Sequence, residues 1–593
     1  MAVVVALACV LTLGSCTPAN TSGASSANAS GASSGGGTSA ASGSSSADEA
    51  DLTGIIPDKT LTLTVYSQLA NYSGEQLGWA AALLKDKFNV QWNIVNDAID
   101  GTFSTRMASG NLGDIVIFGD DTDQYQQAIQ AGMLYNWEGD DNLVQTYAPY
   151  IYAHMQSALE QNRTISGGTV YGFGYDVAAD ATNHSAYSYY PDLRWDLYQK
   201  LGDPQIKTLE DFIPVLQQMQ QLEPQTQDGA KTYGVSLFPD WDGNMVMEVK
   251  ATAALYGYDE FELGLYNVNT QTYEDCLKDG GMYLRCLKFY NTLYQDGLLD
   301  PDSMTQDYNT MLAKYQNGQA FFNIFQWIGD AFNTDANTAA GERMMAVAAE
   351  DQKNIVYGLN VLGGNRVWTI GAQTNYPELC MAIINWLSTP EGVLDYNYGP
   401  EGVTWDYNAA GDTELTSVGV AAQLDPKDTQ ITFDGATGSY QDGQFQHNNT
   451  TWSMDATNPD SASGETFDYK FWQSYNDTRT ISPVEKSWQD FTGYPDADAY
   501  LEGNNYYSLS IGSGFAAATQ DDALKTTWTQ VTDCIKTGSW NAIYAKTDAD
   551  YNTIVAKMIS DAKAYGYDQC VTWSQQQADL RKAAEDAVTS SQQ

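Results

Sequence analysis

Residues 61–118 constrain the fold most tightly, because strand-like and helix-like patterns alternate through them without a break. Leu61, Leu63 and Val65 alternate with Thr62 and Thr64, a period of two that predicts a strand ending at Tyr66-Ser67-Gln68. Leu77, Ala81, Leu84 and Phe88 then recur at helical spacing. Residues 90–95 read as a second strand and 102–109 as a short helix. Residues 114–118 read as a third strand, closing on Gly119-Asp120-Asp121. Strand, helix, strand, helix, strand predicts a parallel sheet with crossover helices. Ligands of such sheets lie beyond the carboxyl ends of the strands. Ser67, Gln68, Asp120 and Asp121 occupy those ends. Gln68 and Asp120, with Arg106 from the short helix, are the polar ligand-binding candidates.

Two further helices announce their starts. Thr208 with Asp211 three residues on predicts a capped start, although Pro214 is discordant inside the helix that follows. Tyr376-Pro377-Glu378 opens another, with proline near the first helical position and Leu379, Ile383 and Leu387 on one face.

The N-terminus predicts a compartment. Residues 2–13 form an apolar stretch, and Leu13-Gly14-Ser15-Cys16 fits the bacterial lipobox. Its small residues suit a signal peptidase, and the cysteine thiol takes a diacylglycerol. The expectation is a signal peptide over 1–15, lipidation at Cys16 and a flexible linker over 16–56. Met1 runs straight into the apolar stretch without the usual Lys/Arg region, which a start codon placed too late would explain. Ser, Gly and Ala dominate residues 17–51, a low-complexity tether of about 35 residues with an r.m.s. span of roughly 33 Å. These features predict a protein on the extracellular face of a cell membrane.

Charge excludes one class of partner. The 593 residues carry 74 Asp+Glu against 28 Lys+Arg, a formal net charge of −46, which repels nucleic-acid phosphates. Of the seven cysteines, Cys9 and Cys16 lie in the N-terminal segment. Cys276, Cys286, Cys380, Cys534 and Cys570 are scattered, with no C-x-x-C spacing, and are expected to be buried thiols. Cys534 with Cys570 is the pairing to test first. With only His154, His184 and His447 as histidines, no metal site is expected, and no cofactor.

From the lipobox onward, motifs accumulate in a recognisable order. Val65-Tyr66-Ser67 ends the first strand, and Gly113-Asp114-Ile115-Val116 resembles a "G-D-hydrophobic" element before the third. Gly168-Thr169-Val170-Tyr171-Gly172-Phe173 resembles a "G-K-x-Y-G-x-P" segment leading into a hinge, with Thr and Gly where Lys and Pro are usual. Tyr315-Gln316-Asn317-Gly318-Gln319-Ala320-Phe321 resembles "F-x-x-G-K-x-A-M". The stretch from Tyr376-Pro377-Glu378 to Trp386-Leu387-Ser388-Thr389-Pro390-Glu391-Gly392 is similar to "N-P-E-x-A-x-x-L-x-x-x-L-x-S-x-E-G". Tyr398-Gly399-Pro400-Glu401-Gly402-Val403-Thr404-Trp405 is similar to the run that follows it. By order and spacing, the chain resembles the family 1 extracellular solute-binding proteins, in the lipoprotein branch related to oligosaccharide- and alginate-binding members.

That resemblance implies an α/β, two-lobed periplasmic-binding-protein-like clamp with a hinge. It implies no catalysis, an oligosaccharide ligand held between lobes, and ABC permease subunits as partners of a monomer on a lipid anchor. Within a solute-binding body over 57–593, lobe 1 is expected at about 57–175 plus 361–425. Lobe 2 is expected at about 180–360 plus the C-terminal helices. Some alginate-binding relatives carry a calcium loop after the helix corresponding to 208–222. Here Glu223-Pro224-Gln225-Thr226-Gln227-Asp228-Gly229 offers only two carboxylates, against the six or more oxygens calcium takes, so no calcium is expected. Asp300-Pro301-Asp302 and the 455–465 stretch read as solvated acidic loops.

Sugar rings stack apolar faces on aromatic side chains and need forked polar partners for their hydroxyls. With 39 Tyr, 18 Phe and 15 Trp, platforms are plentiful. The ones flanked by loop residues are Trp241 (Phe238-Pro239-Asp240-Trp241-Asp242-Gly243), Trp327 (Phe325-Gln326-Trp327-Ile328-Gly329-Asp330), Trp368 (Asn365-Arg366-Val367-Trp368) and Trp405 (Thr404-Trp405-Asp406). Trp241 and Trp327 are expected on the second lobe, Trp405 and Asp120 on the first. A secreted glycoside hydrolase, which needs two carboxylates about 5–9.5 Å apart, and a surface lectin are the alternatives. The body carries no G-x-S-x-G, H-E-x-x-H or phosphate loop.

Overall fold

The computed structural model describes residues 50, 52–70, 72–97, 101–121, 123–174, 176–364, 366–441, 452–518 and 520–591. The proposed signal peptide, Cys16 and most of the linker lie outside the described residues.

The strand–helix alternation becomes the middle of a six-stranded sheet. Leu61–Ser67 sits between Val90–Asn96 and Ile115–Phe118 and runs parallel to both, with Leu61 opposite Val90 and Val65 opposite Ile115. Val367–Ile370 and Gly172–Gly174 extend the sheet antiparallel beyond Ile115–Phe118, and Gly74–Glu75 closes the other edge. Leu63 and Val65 are fully buried, as are Val116 and Ile117, because the sheet is covered on both faces. The helices Gly78–Phe88 and Thr102–Ser109 make the predicted crossovers.

A second, three-stranded antiparallel sheet has Tyr189–Arg194 between Phe322–Phe325 and Met344–Ala346. Around it packs an apolar core drawn from residues 187–356 and 484–570, whereas the six-stranded sheet anchors a core drawn from 63–178 and 359–472. The described chain passes between these cores three times, at 178–187, 356–359 and 472–484. The bridge His184↔Gly358 ties the first two crossings together.

Local signals held where capping chemistry set them. Thr208 and Asp211 form a capping box at a 3₁₀ turn, Leu209–Asp211, which leads into the helix Phe212–Leu222. Pro214 is the third residue of that helix, within the first turn, where backbone N–H groups have no intrahelical acceptor anyway. The five described cysteines are all free thiols, Cys534 half-buried and the rest buried. Cys534 and Cys570 are therefore not joined.

Candidate functional site

Trp241 is held out to solvent by a loop pinned at each flank. Residues 233–237 run into the second core through single bridges to Ala320 and Leu299, and the chain turns at Pro239, whose carbonyl accepts the Asp242 N–H at 3.2 Å. Gly243 completes the turn at φ +61°, a conformation that costs glycine nothing. Glu248 accepts the Phe238 N–H at 3.0 Å, and Asp240 accepts the Tyr308 N–H at 2.8 Å. Asp242 accepts the Trp540 indole N–H at 2.7 Å and the Met247 N–H at 3.1 Å. With the backbone fixed, the Trp241 indole remains 40% exposed. It stacks on Tyr308 at 4.7 Å and 24°, over the edge of Phe238 at 4.9 Å.

Trp327 joins the same surface from another element. The strand Phe322–Phe325 hands directly to the helix Gln326–Phe332, so Trp327 leaves the sheet beside Phe325 at 4.9 Å and meets Trp241 at 6.4 Å. Asp330, one turn on, is exposed and accepts a hydrogen bond from the Gln326 side chain. The helix lies close against the sheet because residue 329 is glycine: a Cβ there would meet Asp192 Oδ2 at 2.0 Å.

Charged groups of the first core lie within electrostatic reach of Asp330. The surrounding protein raises the Asp330 carboxyl despite its exposure, while the positive charges of Arg343 and of Lys470, from the other core, pull it down. Lys470 also acts on Asp455, which desolvation pushes to about 6, helped by Asp468 and Asp176. Asp498, from the second core, is pushed to about 7 by desolvation and by Asp496, Glu502 and Asp455, with His184 opposing. His184 lies 3.2 Å from Glu502, whose hydrogen bond raises the imidazole. Asp330 and Asp498 of the second core and Asp455 of the first, all raised by desolvation, make up a predominantly acidic seam. Among the described residues no group of three or more His, Cys, Asp or Glu is placed to hold a metal ion.

The seven predicted ligand residues separate. Trp241 and Trp327 come together. Gln68 accepts the Gly119 N–H at 2.8 Å and donates to Gln124, tying the strand ends beside exposed Asp120. Arg106 donates to the Leu112 carbonyl at 2.7 Å with its guanidinium 5.6 Å from the Tyr66 ring centre, so it braces its own helix. Trp368 and Trp405 are corrections. Trp368 is 1% exposed on a strand covered on both faces, and Trp405 is fully buried with its indole N–H donated to Asp395 at 3.2 Å. Neither offers a ring face to a ligand. The sequence reading missed Tyr308, Asp330, Lys470 and Asp455. The aromatic position and spacing of Tyr308 carry no signal of their own, Asp330 closes the Trp327 segment without a signal separate from it, and Asp455 stands in a stretch that reads as a solvated loop.

Residues 79–400 match the family described as bacterial extracellular solute-binding protein. An extracellular solute-binding protein from Bifidobacterium longum subsp. infantis superposes with a TM-score of 0.51 at 13% identity, covering 88% of this chain and 99% of that one. An HMO-binding, ABC-transporter-associated solute-binding protein from the same bacterium gives 0.51 at 11%, with the same coverages. The alginate-binding protein AlgQ2 without calcium ion gives 0.47 at 16%, also covering 88% and 99%. No curated protein matches this chain. The two Bifidobacterium structures show the fold: an α/β, periplasmic-binding-protein-like architecture.

Proposed function

Because the chain belongs to the bacterial extracellular solute-binding protein family, we propose that it captures an oligosaccharide between its two cores and delivers it, unaltered, to an ABC permease. The cores are then the two lobes of the clamp, with lobe 1 reaching further than 425 to include residues up to 472. The observation that carries this reading is the cluster of exposed Trp241 with half-buried Tyr308 and Trp327, beside Asp330. A sugar ring laid on it has an aromatic face for its C–H groups and a carboxylate for its hydroxyls. Asp455 and Lys470 would meet the ligand's other side. The HMO-binding relative has this fold, which supports a carbohydrate over a peptide.

The charge of the seam sharpens the expectation. A neutral oligosaccharide should displace its counterpart bearing uronic or sialic acid, because a carboxylate entering between Asp330, Asp455 and Asp498 meets like charge in a low-dielectric seam. Competition calorimetry checks this, and the recovered sugar should be chemically intact by mass spectrometry. Tighter binding of the acidic sugar, or its cleavage, would overturn the reading.

Anchoring is proposed through Cys16 and the tether. Cys16→Ala should move the protein from the membrane fraction to the medium, since one thiol carries the whole lipid. Retention of that variant in membranes would remove the anchor from the account.

A further inference from the structure

Behind the aromatic surface, a small cavity of about 10 Å³ is lined by Ser236, Glu248, Tyr290, Tyr315, Asn323 and Phe325, among others. That is about the room one water needs. Most polar groups around it are spoken for. Ser236 donates to Asp300 at 2.6 Å, Tyr315 donates to the Phe322 carbonyl at 2.9 Å, and Tyr290 shares a hydrogen bond with Thr252 at 2.8 Å. Glu248 is different. It is 3% exposed, its Oε1 accepts the Phe238 N–H, and its Oε2, buried at the cavity, has no hydrogen-bond partner among the described residues.

We propose that Glu248 is a positioning residue for the ligand surface, holding a neutral carboxyl whose Oε1 fixes Phe238 while its Oε2–H donates to a single water in this cavity. The inference rests on the reading of Trp241 as a ligand platform. Its physical basis is local. A carboxylate so buried is strongly disfavoured without a counter-charge or donors. The charged and titratable groups around Glu248 are Asp242 from the loop, Lys250 from its own helix, Tyr290 and Tyr315 from packed helices, and Asp300 behind Tyr315. Lys250 is the cation of the set, but it is engaged elsewhere: it donates to the Asp242 carbonyl at 2.9 Å and pairs with Glu260. Burial therefore dominates and pushes Glu248 up to about 8.

Loss of that proton would strengthen the bond to the Phe238 N–H but leave a charge buried three residues from Trp241, and that desolvation cost favours opening the loop to water. Whatever the seam carboxyls contribute at lower pH, oligosaccharide affinity should accordingly fall about 5- to 10-fold as pH rises past 8, a decline that belongs to Glu248. Glu248→Gln keeps an acceptor for Phe238 and a donor for the water, so it should bind like the native protein at pH 7 and lose the decline above pH 8. Glu248→Ala should bind about 5- to 10-fold more weakly at every pH.

Infrared difference spectra of native protein against Glu248→Gln supply a readout that needs no ligand. They should show the carbonyl band of a neutral carboxylic acid at pH 7, titrating away near pH 8. A missing band, or an identical pH profile of affinity in native protein and Glu248→Gln, would overturn the role given to Glu248. If the band is present but no oligosaccharide binds any variant, the platform reading fails, and the positioning role built on it fails with it.

Discussion

Replacing Arg194 with alanine should lower the stability of the second core by about 3–5 kcal/mol, the usual consequence of breaking a buried ion pair from one side. Arg194 is fully buried at the end of the central strand of the three-stranded sheet. Its guanidinium binds Asp196 in a bidentate pair at 2.8 and 3.0 Å, donates to Glu223 at 3.1 Å and lies 3.4 Å from Glu342. The Phe332 ring sits 4.6 Å away on one face. One planar cation thus joins the strand, the helix that follows it, the end of Phe212–Leu222 and the turn before Met344–Ala346. Removing it leaves Asp196, 8% exposed, without its bidentate partner and three carboxylates crowded together. Urea unfolding followed by a signal from the second core checks this, and a loss below about 1 kcal/mol would show that the carboxylates hold the junction by other means. Arg194→Lys should recover only part, since an ammonium cannot reproduce the fork.

The second large effect separates the tryptophans. Trp405→Ala should cost about 3–5 kcal/mol of stability, as large-to-small changes in cores do, because it empties a closed site and strips Asp395 of a donor. Trp241→Ala should leave the melting temperature nearly unchanged and weaken oligosaccharide binding by about 1–3 kcal/mol, roughly 5- to 150-fold. Thermal melts beside binding titrations read both outcomes from the same preparations. A Trp241→Ala protein that melts early and binds normally would reverse the assignment.

The two buried tryptophans, Trp368 and Trp405, also show where a sequence stops being readable. Both stand beside polar or charged residues, Trp368 after Arg366 and Trp405 before Asp406, and polar neighbours suggest a loop. Trp368 instead lies on a strand whose two faces are both covered, so the polarity of its neighbours says nothing about its own side. Trp405 pairs with Leu415 in a two-stranded ribbon and is buried as part of the first core. The sheet at 61–118 was legible because its signal is periodic and local, and the helix starts at Thr208 and Pro377 because capping is local chemistry. The seam is the opposite case. Asp330 and Lys470 stand 140 positions apart in the sequence, and Asp455 looked solvated until the fold set it beside Asp498 and His184. Tertiary electrostatics has no sequence period.

The account stands on a ligand held between the two cores, and amide hydrogen exchange with and without saturating neutral oligosaccharide tests that most directly. Protection should rise on both sides together, over residues 238–243 and 326–332 of the second core and 453–470 of the first, because closure around the ligand removes solvent from each. Protection confined to one core, or unchanged exchange at saturation, would contradict it.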